Sequence, residues 1–262
     1  MTFCKSCLFA AISLIIGLPV FCQEDSSSEN YYRINKTYVS SYFTDFPKLA
    51  TAPARYTKKN WTTVAVVVAG TGTLMTLDRS IKQWVQSNRN GFLDQTSRIV
   101  EPFGNEYSPY VIGAMYLAGV LTKDRKMEHV SLVSAKSLVF STLFYMGTKQ
   151  LIRRRRPVYT DDPFEINSMF QGGREWTSFP SGHAHTVFTV ATAISLQYKH
   201  KKWVPYLAYG IAGITGMSRI YDNKHWLSDV VIGSAMGHFI TKTVYRIEEA
   251  KAKKKQLISL TF

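Results

Sequence analysis

Three groups of residues carry chemistry in this sequence. Lys149 is followed, after six intervening residues, by Arg156-Pro157; Pro180-Ser181-Gly182-His183 opens an apolar segment; and Ser218-Arg219 is followed after five residues by His225 and after three more by Asp229. Three fixed cations, Lys149, Arg156 and Arg219, suit a multiply charged oxyanion. Ser181 is a good N-cap, Gly182 admits a close backbone approach, and the first N–H groups of a helix starting there point outward at the positive end of its dipole. Donors at Ser181 and Gly182 therefore complete an anion cradle. Two imidazoles and a carboxylate add a nucleophile, a proton donor and an orienting group, because Asp229 lies one turn beyond His225 and can bond its ring. Each piece alone is ordinary; together they are what phosphoryl transfer without a metal requires.

These groups must be held by helices. Six apolar segments, about Trp61–Leu77, Tyr107–Leu121, Val130–Gln150, Ala184–Tyr198, Trp203–Met217 and Leu227–Tyr245, lack strict alternation, and their length predicts an all-α bundle of about six core helices. The stretch Asp78–Glu101 is amphipathic and predicts two short helices broken at Asn90-Gly91. The separation of Lys149 and Arg156 is two helical turns, which predicts one shared face, with Pro157 ending the helix. Arg153, Arg154 and Arg155 read as a generic basic patch, and His185, Asp222 and Lys224 as surroundings. In an up-and-down bundle the third and fifth segments end, and the fourth and sixth begin, on the side where all these groups lie.

The same residues resemble the three signature motifs of the type 2 phosphatidic acid phosphatase (PAP2) and haloperoxidase superfamily, complete in type, spacing and order from Lys149 to Asp229. The resemblance implies a two-step hydrolysis: His225 attacks phosphorus, Asp229 holds its ring, and His183 protonates the leaving oxygen. It implies that Lys149, Arg156, Arg219, Ser181 and Gly182 bind the phosphoryl oxygens, and that no metal or other cofactor takes part. The expected substrate is a lipid-borne phosphate or pyrophosphate. A soluble exported acid phosphatase of broad specificity and a vanadium-dependent haloperoxidase remain open as alternatives.

The 262 residues allow one substantial domain, and the formal net charge of +14 suits anionic lipid or a phosphate site. Nucleic acid is not an expected partner, since no nucleic-acid motif accompanies the charge. Residues 1–22 read as a signal peptide or N-terminal anchor, with Lys5 before the apolar run Leu8–Phe21. All three cysteines (Cys4, Cys7, Cys22) lie there, so cleavage leaves a mature chain without thiols. Residues 23–60 read as an extended polar arm with at most short helices, 61–245 as the phosphatase domain, and 246–262 as a basic tail whose charged part, Arg246–Lys255, is a solvated helical extension. Charges inside the apolar segments, Lys136, His238 and Lys242, must face the bundle interior or snorkel. The positive-inside bias of Lys123, Arg125, Lys126, Lys199, Lys201 and Lys202 points to a membrane protein of the cell envelope with its site facing the periplasm or exterior. A cleaved signal with three crossings before Lys149 conflicts with that orientation, which leaves the number of crossings open.

Overall fold

A computed structural model describes residues 33–260. Within them the chain forms eight α-helices: α1 (Lys36–Ala50), α2 (Lys58–Ser87), α3 (Gly91–Val100), α4 (Tyr107–Thr122), α5 (Arg125–Leu151), α6 (Gly182–Gln197), α7 (Trp203–Tyr221) and α8 (Leu227–Leu260). Two-residue strands β1 (Arg153–Arg154) and β2 (Ile166–Asn167) pair antiparallel between α5 and α6. The all-α expectation holds, and the six apolar segments are α2, α4, α5, α6, α7 and α8. The segment proposed as a signal or anchor, 1–22, lies outside the described residues.

Local sequence sets most of the helix starts. Asn35, Thr57, Asn90, Asp124 and Ser181 each cap the next helix by accepting a backbone N–H with the side chain. The α4–α5 turn closes through Lys123 in the left-handed conformation at φ 59°. The central helix is α6, which packs against α5, α7 and α8. Its buried face carries Ala184, Ala191, Ala193, Thr189, Thr192 and Ser195; side chains this small let three helices approach it.

Three expectations are corrected. Asp78–Ser87 is not a separate short helix but continues α2, since nothing before Asn88 interrupts the helical pattern; only Gly91–Val100 stands as a short helix. The described part of the arm is not extended: it forms the helix α1, along which Tyr38, Tyr42 and Phe46 recur every fourth residue, and Tyr42 and Phe46 meet Phe140 of α5 edge-on at 5.6 and 5.7 Å. Tyr38 also donates to the Leu132 carbonyl at 2.9 Å. The C-terminal tail is not merely solvated, because Glu248 of α8 is buried and Lys251 pairs with Asp45 of α1.

These last contacts centre on Lys136, 1% exposed, so this intrahelical charge faces the interior as expected. Its ammonium donates to Ser41 Oγ at 2.5 Å and Asp45 Oδ2 at 3.1 Å, both on α1, and to Glu248 on α8. His238 likewise turns inward, to the Tyr209 hydroxyl at 2.9 Å.

Outward faces are apolar. Trp61, Val66, Val68 and Leu77 on α2, Leu117 and Leu121 on α4, Val139, Leu143 and Met146 on α5, and Tyr206, Leu207, Ile214 and Met217 on α7 are exposed. By length and composition α2 and α5 can each cross a membrane.

Lys136→Met removes the buried cation between Asp45 and Glu248, leaving the partly exposed Lys251 as the cation they still share, and is expected to cost about 2 kcal/mol. Thermal unfolding of the full chain in detergent, followed by circular dichroism, reads this as a clear drop in Tm; an unchanged Tm would show that the arm is not clamped through Lys136.

Candidate active site

The motif residues converge at one end of the bundle, where α5 and α7 end and α6 and α8 begin. They do not converge in the way helical spacing predicts. The α5 helix stops at Leu151, five residues before Arg156, and the chain passes through β1. Lys149 and Arg156 therefore share no helix face. They meet on Thr177 instead: Lys149 Nζ donates to its carbonyl at 2.7 Å, and Arg156 Nε and Nη2 donate to its hydroxyl at 3.2 and 3.1 Å. Stranded geometry follows from Arg155 and Ser178, whose N–H groups donate to the Glu165 and Arg154 carbonyls. Those bonds replace the intrahelical ones that residues after Leu151 give up.

The arginine run is not a surface patch. Arg154 is 1% exposed and ties the motifs together. It donates from Nη1 to Asp229 Oδ1 at 2.6 Å and Ser228 Oγ at 2.7 Å, from Nη2 to Asp78 Oδ2 at 2.8 Å, and from Nε to the Pro163 carbonyl at 2.7 Å. Arg153 is buried too and donates to the Gln171 and Gly172 carbonyls, holding the hairpin loop. Of the run, only Arg155 and Arg156 are partly exposed.

Asp229 lies at the first turn of α8, but it is not the direct orienter of His225. Its Oδ2 is 3.9 Å from His225 Nδ1. That oxygen accepts from the Ser178 hydroxyl at 2.5 Å and from the Trp226 N–H at 3.0 Å, the return half of a capping box. His225 Nδ1 instead donates to the Ser178 carbonyl at 2.7 Å. Asp229 thus holds Ser178, and Ser178 holds the ring. A carbonyl can only accept, so Nδ1 carries the proton and Nε2 the lone pair. His225 is 4% exposed. Burial, reinforced by the Lys149 and Arg156 cations, keeps its pKa well below the ordinary imidazole value.

The start of α6 departs from expectation at one donor. The Ser181 N–H is bonded to the Asp229 carbonyl at 3.0 Å, so Ser181 offers its hydroxyl rather than its backbone to a ligand. Gly182 is the first residue of α6, where N–H groups have no intrahelical acceptor. A side chain at Gly182 would stand 2.6 Å from the Tyr145 hydroxyl, which explains the glycine. Tyr145 lies one turn before Lys149, whose ammonium stands 4.8 Å above its ring, and it stacks on buried His185 at 5.0 Å.

On the α7 side, Arg219 stands 3.2 Å from Glu101 and 3.3 Å from Asp222. Its buried Nε and Nη1 nonetheless direct no hydrogen bond to any described group, leaving donors for an anion. Glu101 also lies 2.6 Å from His183 Nε2. Sequence reasoning did not single out Glu101 or Arg154. Neither falls at a motif position; Glu101 ends the amphipathic stretch Asp78–Glu101.

Lys149, Arg156, Ser181, Gly182, His183, Arg219 and His225 thus come together at this end of the bundle, with Lys149, Arg156 and Arg219 all acting on His225. Such an arrangement can bind a tetrahedral oxyanion and present a neutral imidazole nitrogen to it.

Residues 131–253 match the PAP2 superfamily. The chain is 40% identical over 78 residues to a lipid A 1-phosphatase from Porphyromonas gingivalis, a match covering 29% of this chain and 18% of that protein. It is 25% identical over 171 residues to an undecaprenyl-diphosphatase from Sulfolobus acidocaldarius, covering 65% and 78%. The match thus spans under a fifth of the first relative's length. Its fold is similar to the crystal structure of a transmembrane PAP2 type phosphatidylglycerolphosphate phosphatase from Bacillus subtilis, with a TM-score of 0.54 at 23% identity over 80% of this chain and 96% of that one.

Arg154→Met strands Asp78 and Asp229 as unpaired buried carboxylates and is expected to destabilise the fold by about 3–5 kcal/mol, whereas Arg156→Met, at a partly exposed position, should cost less than about 1 kcal/mol. Parallel thermal melts decide it; equal, small losses would restore the reading of the run as a surface patch.

Proposed function

We propose that this chain, whose residues 131–253 match the PAP2 superfamily, hydrolyses a lipid-borne phosphate or pyrophosphate through a phosphohistidine, without a metal. The observation that carries this is the tautomer of His225. Its Nδ1–H is held by the Ser178 carbonyl, so Nε2 presents a lone pair beside three cations.

The phosphoryl oxygens are held by Lys149, Arg156 and Arg219, the Ser181 hydroxyl and the Gly182 N–H. Nε2 of His225 attacks phosphorus in line with the leaving oxygen; the P–N bond forms as the P–O bond breaks. His183 gives a proton to that oxygen. The positive ring of His225 is stabilised by the Ser178 carbonyl, which Asp229 fixes through the Ser178 hydroxyl. His183 then takes a proton from water, which attacks phosphorus and frees His225.

A lipid substrate is supported by the relatives' names and by the apolar surface. Besides the outward faces of α2, α4, α5 and α7, the rim of the site exposes Phe164, Ile166, Met169 and Phe170 on the hairpin and Phe92 and Ile99 on α3. A water-soluble enzyme would leave all of this unburied. The end of the bundle away from the site carries Lys123, Arg125 and Lys126, then Lys199, Lys201 and Lys202. That bias supports a far end in the cytoplasm and a site on the outer face of the membrane. The arm helix α1 packs at the same far end, against Lys136 and Glu248.

Phosphate release by the purified full chain, across lipid phosphates, lipid pyrophosphates and soluble esters, should favour the lipids and survive EDTA. His225→Ala should fall below about 1% of wild-type turnover, because it removes the covalent step rather than weakening binding; retention of more than that would exclude His225 as nucleophile. The pH profile offers a separate check. The working form of His225 is the neutral one, and its pKa is depressed. The acid limb of kcat/KM should therefore lie below the ordinary imidazole value of about 6.5, and a limb at or above that value would contradict the buried, cation-flanked ring.

A further inference from the structure

A carboxylate stands inside the anion cradle and takes no part in the steps above. Glu101 begins a tight turn, Glu101–Gly104, between α3 and α4. Its Oε1 is 2.6 Å from His183 Nε2 and 3.2 Å from Arg219 Nη1. The turn is held in place: the Thr215 hydroxyl donates to the Val100 carbonyl at 3.2 Å, and the Ser108 hydroxyl to the Phe103 carbonyl at 2.6 Å.

The turn also decides which edge of the His183 ring is free. Gly104 lies directly on it, so that a side-chain carbon there would stand 2.9 Å from His183 Cδ2 and 2.6 Å from its Cβ. The Cδ2–Nε2 edge therefore faces the turn and is bonded by Glu101, and the Nδ1 edge faces away. No described group bonds Nδ1.

We propose, on the phosphatase reading above, that Glu101 is a positioning residue for the general acid: it grips His183 by Nε2–H and favours the doubly protonated ring, leaving Nδ1–H for the leaving oxygen. The need for it comes from the surroundings. The charges that act on His183 are Arg219 from α7, Arg156 from the chain after β1 and Glu101 itself, while Asp222 partly offsets Arg219. Burial and the two cations hold its pKa below the ordinary imidazole value, yet a general acid must carry a positive charge before it can donate. The carboxylate on Nε2 acts in the opposite sense. In the first step the P–O bond breaks with its electron pair on oxygen, and the Nδ1 proton moves to that oxygen. The ring is left neutral, with Nε2–H still on Glu101. In the second step the Nδ1 lone pair accepts a proton from the attacking water, and the acid is regenerated.

The test compares the full-length wild type with Glu101→Gln and Glu101→Asp on two substrates. A short-chain dialkylglycerol phosphate has an alkoxide leaving group that needs a proton; 4-nitrophenyl phosphate has a phenolate that leaves without one. Glu101→Gln should lower kcat on the lipid phosphate by about a hundredfold, but on the nitrophenyl ester by less than about threefold, since general-acid assistance of that size is withdrawn only where the leaving group requires it. The basic limb of the lipid-phosphate profile should move to lower pH, because an unsupported ring loses its proton sooner. Glu101→Asp, which keeps the charge, should recover part of the lipid activity. Equal loss on both substrates with an unmoved basic limb would overturn the proposal by making Glu101 structural. Tighter inhibition by inorganic phosphate with kcat unchanged would also overturn it, by making Glu101 a resident competitor for the anion site. A wild type that releases phosphate from neither substrate would instead remove the phosphatase reading itself.

Discussion

A single buried guanidinium holds the site end of this protein together. Arg154 sits between Asp78 of α2 and Asp229 of α8, with the Ser228 hydroxyl and the Pro163 carbonyl taking further donors. A buried ion pair gains little unless its remaining hydrogen-bonding capacity is used. Here it is used: Asp78 also accepts from the N–H and hydroxyl of Ser228, and Asp229 from Ser178 and Trp226. Two carboxylates to one cation leaves an excess negative charge, which lies at the N-terminus of α8, where the helix dipole favours it. The proposed nucleophile and the start of α6 hang from this knot. Ser178 holds His225, Asp229 holds Ser178 and, through its own carbonyl, the backbone of Ser181.

The opposite end of the bundle repeats the arrangement. Lys136 lies between Asp45 and Glu248, again one buried cation between two carboxylates. The two knots pin segments distant in sequence, α2 to α8 at the site and α1 to α8 at the far end. Between them the helices meet through small and apolar side chains and turn apolar faces outward. Against a bilayer, outward apolar faces contribute nothing to holding helices together, so specificity falls to close packing and to polar contacts inside the bundle. The two cation knots are such contacts.

The site itself is built from helix ends, and that explains both its charge and its openness. Lys149 and Arg219 come from last turns, Gly182 and His183 from a first turn, and Arg156 from the chain that leaves α5. The cations repel one another, and although Glu101 and Asp222 stand beside Arg219, Arg219 keeps buried donors without a hydrogen bond. In the proposed function a phosphoryl dianion takes up those donors. Glu101 tempers the same positive field on one side only, at the ring of His183.

The helices and the residues proposed to bind the anion were legible in the sequence because both are local. An apolar run of helical length must bury a face, and a capping serine, a glycine or a cation carries its chemistry wherever the fold takes it. Lys149, Arg156, His183, Arg219 and His225 were all read this way, and the structure brings them together. The connections between them were not legible. Seven positions suggested that Lys149 and Arg156 share a helix face, but α5 ends first and the pair meets on Thr177. One helical turn suggested that Asp229 grips His225, but the buried guanidinium of Arg154 draws that carboxylate away, and a serine carries the link. Arg154 looked like one member of a basic run, and Glu101 like the end of an amphipathic stretch. What decides their roles is a partner 75 or 82 positions away in the chain. Sequence spacing specifies neighbours only along one element; which charge faces which across the bundle is settled by packing, and it was tertiary structure alone that placed Asp229 behind Ser178 and Glu101 upon His183.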